Sequence, residues 1–291
     1  GSYKKQIPNV YNMGYHLTAS LNLDYGDKIM GNLLKETVKS SFLNFYPFSK
    51  SLKKHTGMRT PQYYEVTFSK LKKEWEQKAT KIELTQTKKM NNEIKKTFTS
   101  YNHPNFLNPQ TIIAEKTSFN EIPTFYIIKS DGLEKRITSP GFYSQSNANL
   151  SLNKDCFVWT EKAYDSRWRN VEYSNVIKFD HTQRLKKQLT FKARYFAPEI
   201  NKDGDKIVAV HAPASQDYEL HIINAQSGNL DKKIANEEQY QYAFPTWMDA
   251  KNIATIVRKS GKNAIQIINL NTEKSRLITP WWNEKIAHLR S

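Results

Sequence analysis

The sequence has one cysteine, Cys156, in 291 residues. That excludes an intramolecular disulfide framework and any cysteine-rich zinc or iron–sulfur site. No run approaches the roughly 20 consecutive apolar residues that a membrane-spanning helix needs. Neither a Gly-rich phosphate loop nor a Gly-x-Ser-x-Gly nucleophile elbow occurs. No signal-peptide pattern is visible, because Gly1-Ser2-Tyr3-Lys4-Lys5 leads into polar sequence. Histidines four residues apart, which would share one helix face around a zinc ion, are missing too. The seven are His16, His55, His103, His181, His211, His221 and His288, and the nearest pair, His211 and His221, lies ten residues apart. Acidic residues are the scarcer sign, 28 against 44 Lys and Arg, for a net charge of +16.

With 38% hydrophobic and 25% charged residues, the composition is that of a globular chain, long enough for one large domain or two ordinary ones. The excess charge is spread out: net +9 over residues 1–95 and +7 over 96–291. Its densest clusters, Lys50–Lys54, Lys70–Lys73, Lys186–Lys187 and Lys232–Lys233, are short and mostly lysine. A nucleic-acid reader shows a coherent basic stripe with Arg poised for bases. Scattered Lys reads instead as a solvated surface.

The first third has helical periodicity. Tyr11, Tyr15, Ala19 and Leu23 recur every four residues, and Tyr25-Gly26-Asp27 marks a stop and restart. Ile29, Met30, Leu33, Leu34 and Val38 stripe a second helix. A shorter segment, Phe48–His55, ends at Gly57 in the manner of a C-terminal glycine cap. Thr60 as N-cap with Pro61 at the first helical position opens a third pattern, Tyr64, Phe68, Leu71 and Trp75. Aromatic stripes at this spacing are expected to face a core. Residues 79–97, rich in Lys, Thr and Asn, read as a linker with a strand around Ile82–Leu84.

The remainder repeats. The apolar doublets Ile127-Ile128, Val176-Ile177, Ile222-Ile223 and Ile267-Ile268 are spaced by 49, 46 and 45 residues. Each precedes a turn and a short strand ending at Ile137-Thr138, Leu189-Thr190, Ile234-Ala235 or Ile278-Thr279. Upstream strands are expected at Thr111–Glu115, Cys156–Glu161, Lys206–His211 and Asn252–Arg258. Before them come Pro104, Asn149, Pro198 and Pro245, spaced by 45, 49 and 47. Four registers thus agree on a repeat of about 47 residues with roughly four strands, the size of a β-propeller blade.

Residues Ala197–Ile207, with Pro198 and Asp203-Gly204, resemble the blade motif of TolB-type propellers, in which a Pro opens the inner strand and Asp-Gly turns into the next. Pro245–Ile253 is similar with its glycine lost, and Asn149–Phe157 lacks both Pro and Asp-Gly. In the helical part, Tyr11–Tyr15, Tyr25-Gly26-Asp27, His55-Thr56-Gly57 and Phe68–Trp75 resemble the tail of a gluzincin-type zinc metallopeptidase domain. In Bacteroidetes-like bacteria such peptidases precede a TolB-like propeller in one long polypeptide. The resemblance implies a periplasmic or outer-membrane-associated protein. It also implies that any zinc belongs to the parent protein, because this chain lacks His-Glu-x-x-His.

The fold class expected is therefore mainly β with an N-terminal α-helical unit: residues 1–78 helical, 79–97 linker, and four blades near 98–145, 146–193, 194–241 and 242–291. Pro280–Lys285 reads as the lead into a further blade, which would leave the propeller incomplete. No catalytic residue, metal ligand or cofactor is assigned to this chain. The candidate ligand-contact residues are Trp159, Glu161, Arg167, Trp168, Arg194 and Tyr195, since Trp and Arg on loops between strands suit a peptide or carboxylate. The alternative for the same residues is that Trp159 packs between blades while Arg167 pairs with Glu161 or Asp165. Arg194-Tyr195-Phe196 and Trp281-Trp282 would then pack at blade junctions. Cys156 reads as a buried, unreactive thiol, and Asp203-Gly204 offers too few oxygens for calcium. The partners expected are a protein or peptide, the peptidase portion and further blades of the parent, and no nucleic acid. Two other readings stay open: a zinc metallopeptidase through its parent, and a basic nucleic-acid binder.

Overall fold

The structure, a computed structural model, describes residues 9–40, 45–92, 96–142, 150–153, 155–286 and 289. Asn149, His288 and the Gly1–Lys5 start lie outside the described residues. The chain divides into two compact units between Lys88 and Lys89, inside the 79–97 stretch.

The first unit holds helices α1 (Val10–Tyr25), α2 (Ile29–Ser40), α3 (Pro47–Thr56) and α4 (Thr60–Ala79). Asn9 caps α1 by accepting the Tyr11 N–H at 2.8 Å. Gly57, at φ 79°, closes α3 by donating its N–H to Lys53. The core is small: Leu21, Ile29, Leu33, Leu52 and Tyr63, flanked by Leu17, Met30, Phe48 and Met58. This corrects the expected face of α1. Leu17 and Leu21 turn inward, so Tyr11, Tyr15 and Leu23 are 83%, 68% and 85% exposed. Leu23 follows Leu21 by two residues, roughly 200° round the helix, and one face cannot bury both. In α4, likewise, Tyr63 and Thr67 are buried, whereas Tyr64 and Trp75 are 36% and 47% exposed. Thr60 is the first helical residue, not the cap; the Arg59 N–H before it donates to the Gln62 side chain at 3.1 Å. Ile82–Leu84 forms no strand, and both Ile82 and Leu84 are exposed.

Among the described residues, the second unit holds four antiparallel four-stranded sheets, each in simple chain order. Blade 1 is β1 (Thr99–Asn108), β2 (Thr111–Ser118), β3 (Thr124–Lys129) and β4 (Glu134–Thr138). Blade 2 is β5 (Ser151–Leu152), β6 (Cys156–Tyr164), β7 (Glu172–Asp180) and β8 (Leu185–Gln188). Blade 3 is β9 (Tyr195–Ile200), β10 (Lys206–His211), β11 (Glu219–Asn224) and β12 (Leu230–Ile234). Blade 4 is β13 (Gln241–Trp247), β14 (Asn252–Lys259), β15 (Lys262–Asn269) and β16 (Ser275–Leu277).

Blades 2 and 3 each bury their two faces against different neighbours, which is why their middle strands are apolar at successive positions. In blade 3, Ile207, Ala209 and Ile223 pack with Val158, Val176 and Leu189 of blade 2. The alternating residues Val208, Val210, Leu220 and Ile222 pack with Tyr242, Trp247, Ile253 and Val257 of blade 4. Each such aliphatic side chain contributes about 1.5–3 kcal/mol when fully buried.

The prolines sit inside the first strands and do not open them. Pro104, Pro198 and Pro245 each follow a residue at positive φ, His103 at 51°, Ala197 at 45° and Phe244 at 46°. At each the pairing register shifts. These are β-bulges on the edge strand, one of the few places a sheet accepts Pro. The bulges aim the next residue at the following blade. Asn105 donates to the Leu150 carbonyl at 3.0 Å, and Glu199 accepts from the Thr246 hydroxyl at 2.6 Å.

Candidate functional site

In an antiparallel meander the start of the first strand, the end of the second and the start of the third lie at one end of the sheet. In blade 3 that end carries Arg194 and Tyr195 entering β9, His211 ending β10, and Glu219 and His221 on β11. In blade 2 the corresponding end is the β6–β7 hairpin, with Asp165, Arg167 and Trp168.

The blade 3 residues form one polar cluster. His211 pairs with Glu219 on one side and with Tyr195 on the other, so all three share a sheet face. His221, two residues beyond Glu219, points the same way. Its Nε2 lies 2.7 Å from Glu219 Oε2 and its Nδ1 2.9 Å from the Tyr195 hydroxyl. The two imidazoles stack at 4.5 Å with planes 16° apart. One imidazole nitrogen of His211, one of His221 and one carboxylate oxygen of Glu219 lie within 4.8 Å of one another.

Burial holds the pKa of both histidines below its ordinary value; for His211 the neighbouring His221 adds to this, while for His221 the Glu219 hydrogen bond opposes it. The His221 bond in turn lowers the Glu219 pKa, and burial raises that of Tyr195. Neutral imidazoles beside a carboxylate are a donor set able to hold a metal ion. Lys233, across from His221 on β12, places its Nζ 3.8 Å from Glu219 Oε2.

The six sequence candidates fall into three pairs. Trp159 is buried among Phe125, Phe157 and Ile177, and its Nε1–H donates to Glu161 at 2.8 Å. Glu161 also pairs with Lys186 at 2.7 Å and accepts the Gly141 N–H at 2.6 Å. Arg167 does not reach Glu161. Its backbone N–H donates to Asp165, and its guanidinium lies 5.3 Å from the Trp168 ring. Trp168 is 62% exposed at the hairpin tip. Arg194 Nε donates to the Ala212 carbonyl at 3.1 Å, and Tyr195 is buried against blade 2. Only Tyr195 joins the histidine cluster directly. Phe196 and Trp281 pack on the core between blades 3 and 4, whereas Trp282 is 37% exposed and pairs through its backbone with Asn263. Cys156 is buried, and burial pushes its thiol pKa up, which keeps it protonated and unreactive.

Sequence reasoning missed the cluster because it sought histidines on a helix. The legible signal was Glu219-x-His221, an alternation that shares one strand face, with His211 a hairpin away.

No protein-family model matches the sequence, and no curated protein sequence matches it. Among solved structures, the chain resembles a puromycin hydrolase mutant complexed with PGG, at 13% identity and a TM-score of 0.53 over 66% of this chain and 32% of the other. This is a β-propeller fold. TolB from Acinetobacter baumannii is similar at 17% identity and a TM-score of 0.47, over 62% of this chain and 44% of that one. An acylaminoacyl peptidase complexed with a chloromethyl ketone gives 12% identity and a TM-score of 0.43, over 64% and 33%. The propeller-bearing chain spans less than half the length of each of these three.

Proposed function

We propose that this chain is a non-catalytic, propeller-bearing region of a peptidase-associated envelope protein of the bacterial periplasm or outer membrane. In this reading it binds a protein or peptide, or gates a peptidase site lying outside the chain. The observation that carries the reading is the β6–β7 hairpin tip. Asp165 accepts the backbone N–H groups of Arg167 and Trp168 at 2.9 and 3.0 Å and holds the exposed Trp–Arg pair in place. Residues of these two types dominate binding energy where partners meet.

The likeness to a puromycin hydrolase supports the peptidase association. Exposed Tyr11, Tyr15, Leu23 and Trp75 on the helical unit support contact with a peptidase portion of the parent. The sequence favours neither intrinsic zinc peptidase activity nor nucleic-acid binding, for want of His-Glu-x-x-His and of a coherent basic stripe. The reading is tested by calorimetric titration of the chain with a panel of short peptides. At least one should bind, and Trp168→Ala should weaken it by about 2 kcal/mol, roughly 30-fold. Binding that ignores Trp168 and Arg167, or casein cleavage by the purified chain, overturns it.

A further inference from the structure

One atom of the histidine cluster is left over. Among the described residues, His211 Nδ1 is buried and has no hydrogen-bond partner. Its nearest acidic oxygen, Glu219 Oε2, is 3.7 Å away, beyond hydrogen-bond reach. Buried polar atoms are rarely left this way without something that satisfies them.

We propose that His211, Glu219 and His221 form a binding site for a divalent first-row transition ion of the zinc class. Two imidazole nitrogens and one carboxylate oxygen are zinc donors, whereas calcium and magnesium take oxygen sets. Zinc bonds to such donors are about 2.0–2.2 Å, so tetrahedral donors sit roughly 3.3 Å apart. The distances from Glu219 Oε2 to His221 Nε2 and His211 Nδ1, 2.7 and 3.7 Å, straddle that value. All three donor atoms lie within 4.8 Å of one another.

The surroundings support this assignment. With Nε2 of His221 toward the ion, its Nδ1 carries the proton and donates to the Tyr195 hydroxyl 2.9 Å away. Metal-bound histidines are oriented by such a partner on the second nitrogen. The side chains of His211 and Glu219 are 24% and 33% exposed, so an ion can reach the site from solvent. Lys233 opposes an ion there, as a cation 3.8 Å from the carboxylate oxygen.

The test is metal titration of the chelator-stripped full chain. Cobalt(II) should bind at one ion per chain with the intense visible bands of four-coordination, and zinc(II) should displace it. His211→Ala and Glu219→Gln should each weaken zinc by more than the roughly 10–100-fold typical of an orienting residue. Tyr195→Phe should fall within that range, and Lys233→Gln should tighten binding. His181→Ala, on the β7–β8 turn, should change nothing. Near-UV circular dichroism of His211→Ala should match that of the unaltered chain, separating loss of a donor from unfolding. Absence of one-to-one binding, binding unchanged by His211→Ala and Glu219→Gln, or equal loss in His181→Ala overturns the proposal.

Discussion

The indole Nε1–H of Trp247 in blade 4 donates to the backbone carbonyl of Glu199 in blade 3 at 2.9 Å. The carboxylate of the same Glu199 accepts from the Thr246 hydroxyl and the Trp247 N–H, at 2.6 and 3.3 Å. The bulge at Pro198 therefore gives blade 4 both a side-chain and a main-chain acceptor. Glu199→Ala should leave the buried Thr246 hydroxyl short of a partner and lower stability by about 1.5–3 kcal/mol. Urea unfolding followed by Trp fluorescence measures it; a loss under 0.5 kcal/mol, roughly the size of an ordinary surface change, would mean water replaces the contact.

Gly228 and Gly261 offer a paired comparison. Both have positive φ, 83° and 76°. A Cβ on Gly228 would overlap the Leu189 carbonyl oxygen of blade 2, whereas one on Gly261 meets no atom of the described residues within 4 Å. Gly261→Ala should cost only backbone strain, about 1–2 kcal/mol. Gly228→Ala adds an overlap with main chain and should cost about 3–5 kcal/mol. Equal melting temperatures for the two variants would show that the blade 2–blade 3 junction yields freely.

Tyr242 is buried between blades 3 and 4, and burial pushes its pKa up to about 12. The unfolded chain ionises this phenol near pH 10. A folded value above the unfolded one means a stabilising contribution that is complete below pH ~10 and lost as pH rises toward ~12. Alkaline unfolding should steepen in that window, with phenolate absorbance appearing as structure is lost. Tyr242→Phe should flatten the dependence there; an unchanged alkaline profile counts against it.

The repeat was readable because its signals are local. Doublets such as Val176-Ile177 and Ile222-Ile223 need both faces buried wherever they occur, and turns such as Gln226-Ser227-Gly228 depend on a few consecutive residues. The expected strands at Lys206–His211 and Asn252–Arg258 fall in β10 and β14. Local pattern was less informative where several faces of one element were apolar. Both Leu21 and Leu23 suit a helix core, and only the positions of Leu33, Leu52 and Tyr63 select Leu21.

The candidate site shows the same division. Residue type marked out Trp168 and Arg167, and their hairpin leaves the indole exposed. Trp159 looked equally suited to a ligand, yet the neighbouring Phe125 and Phe157 take it into the core. The histidine cluster depends on pairing: one step of slip between β10 and β11 would send His211 and His221 to opposite faces. Composition and periodicity alone determined four blades of about 47 residues after a helical region. Which side chains meet at the blade ends, and which imidazole nitrogen lacks a partner, was decided only when strand register and blade packing brought residues distant in sequence into contact.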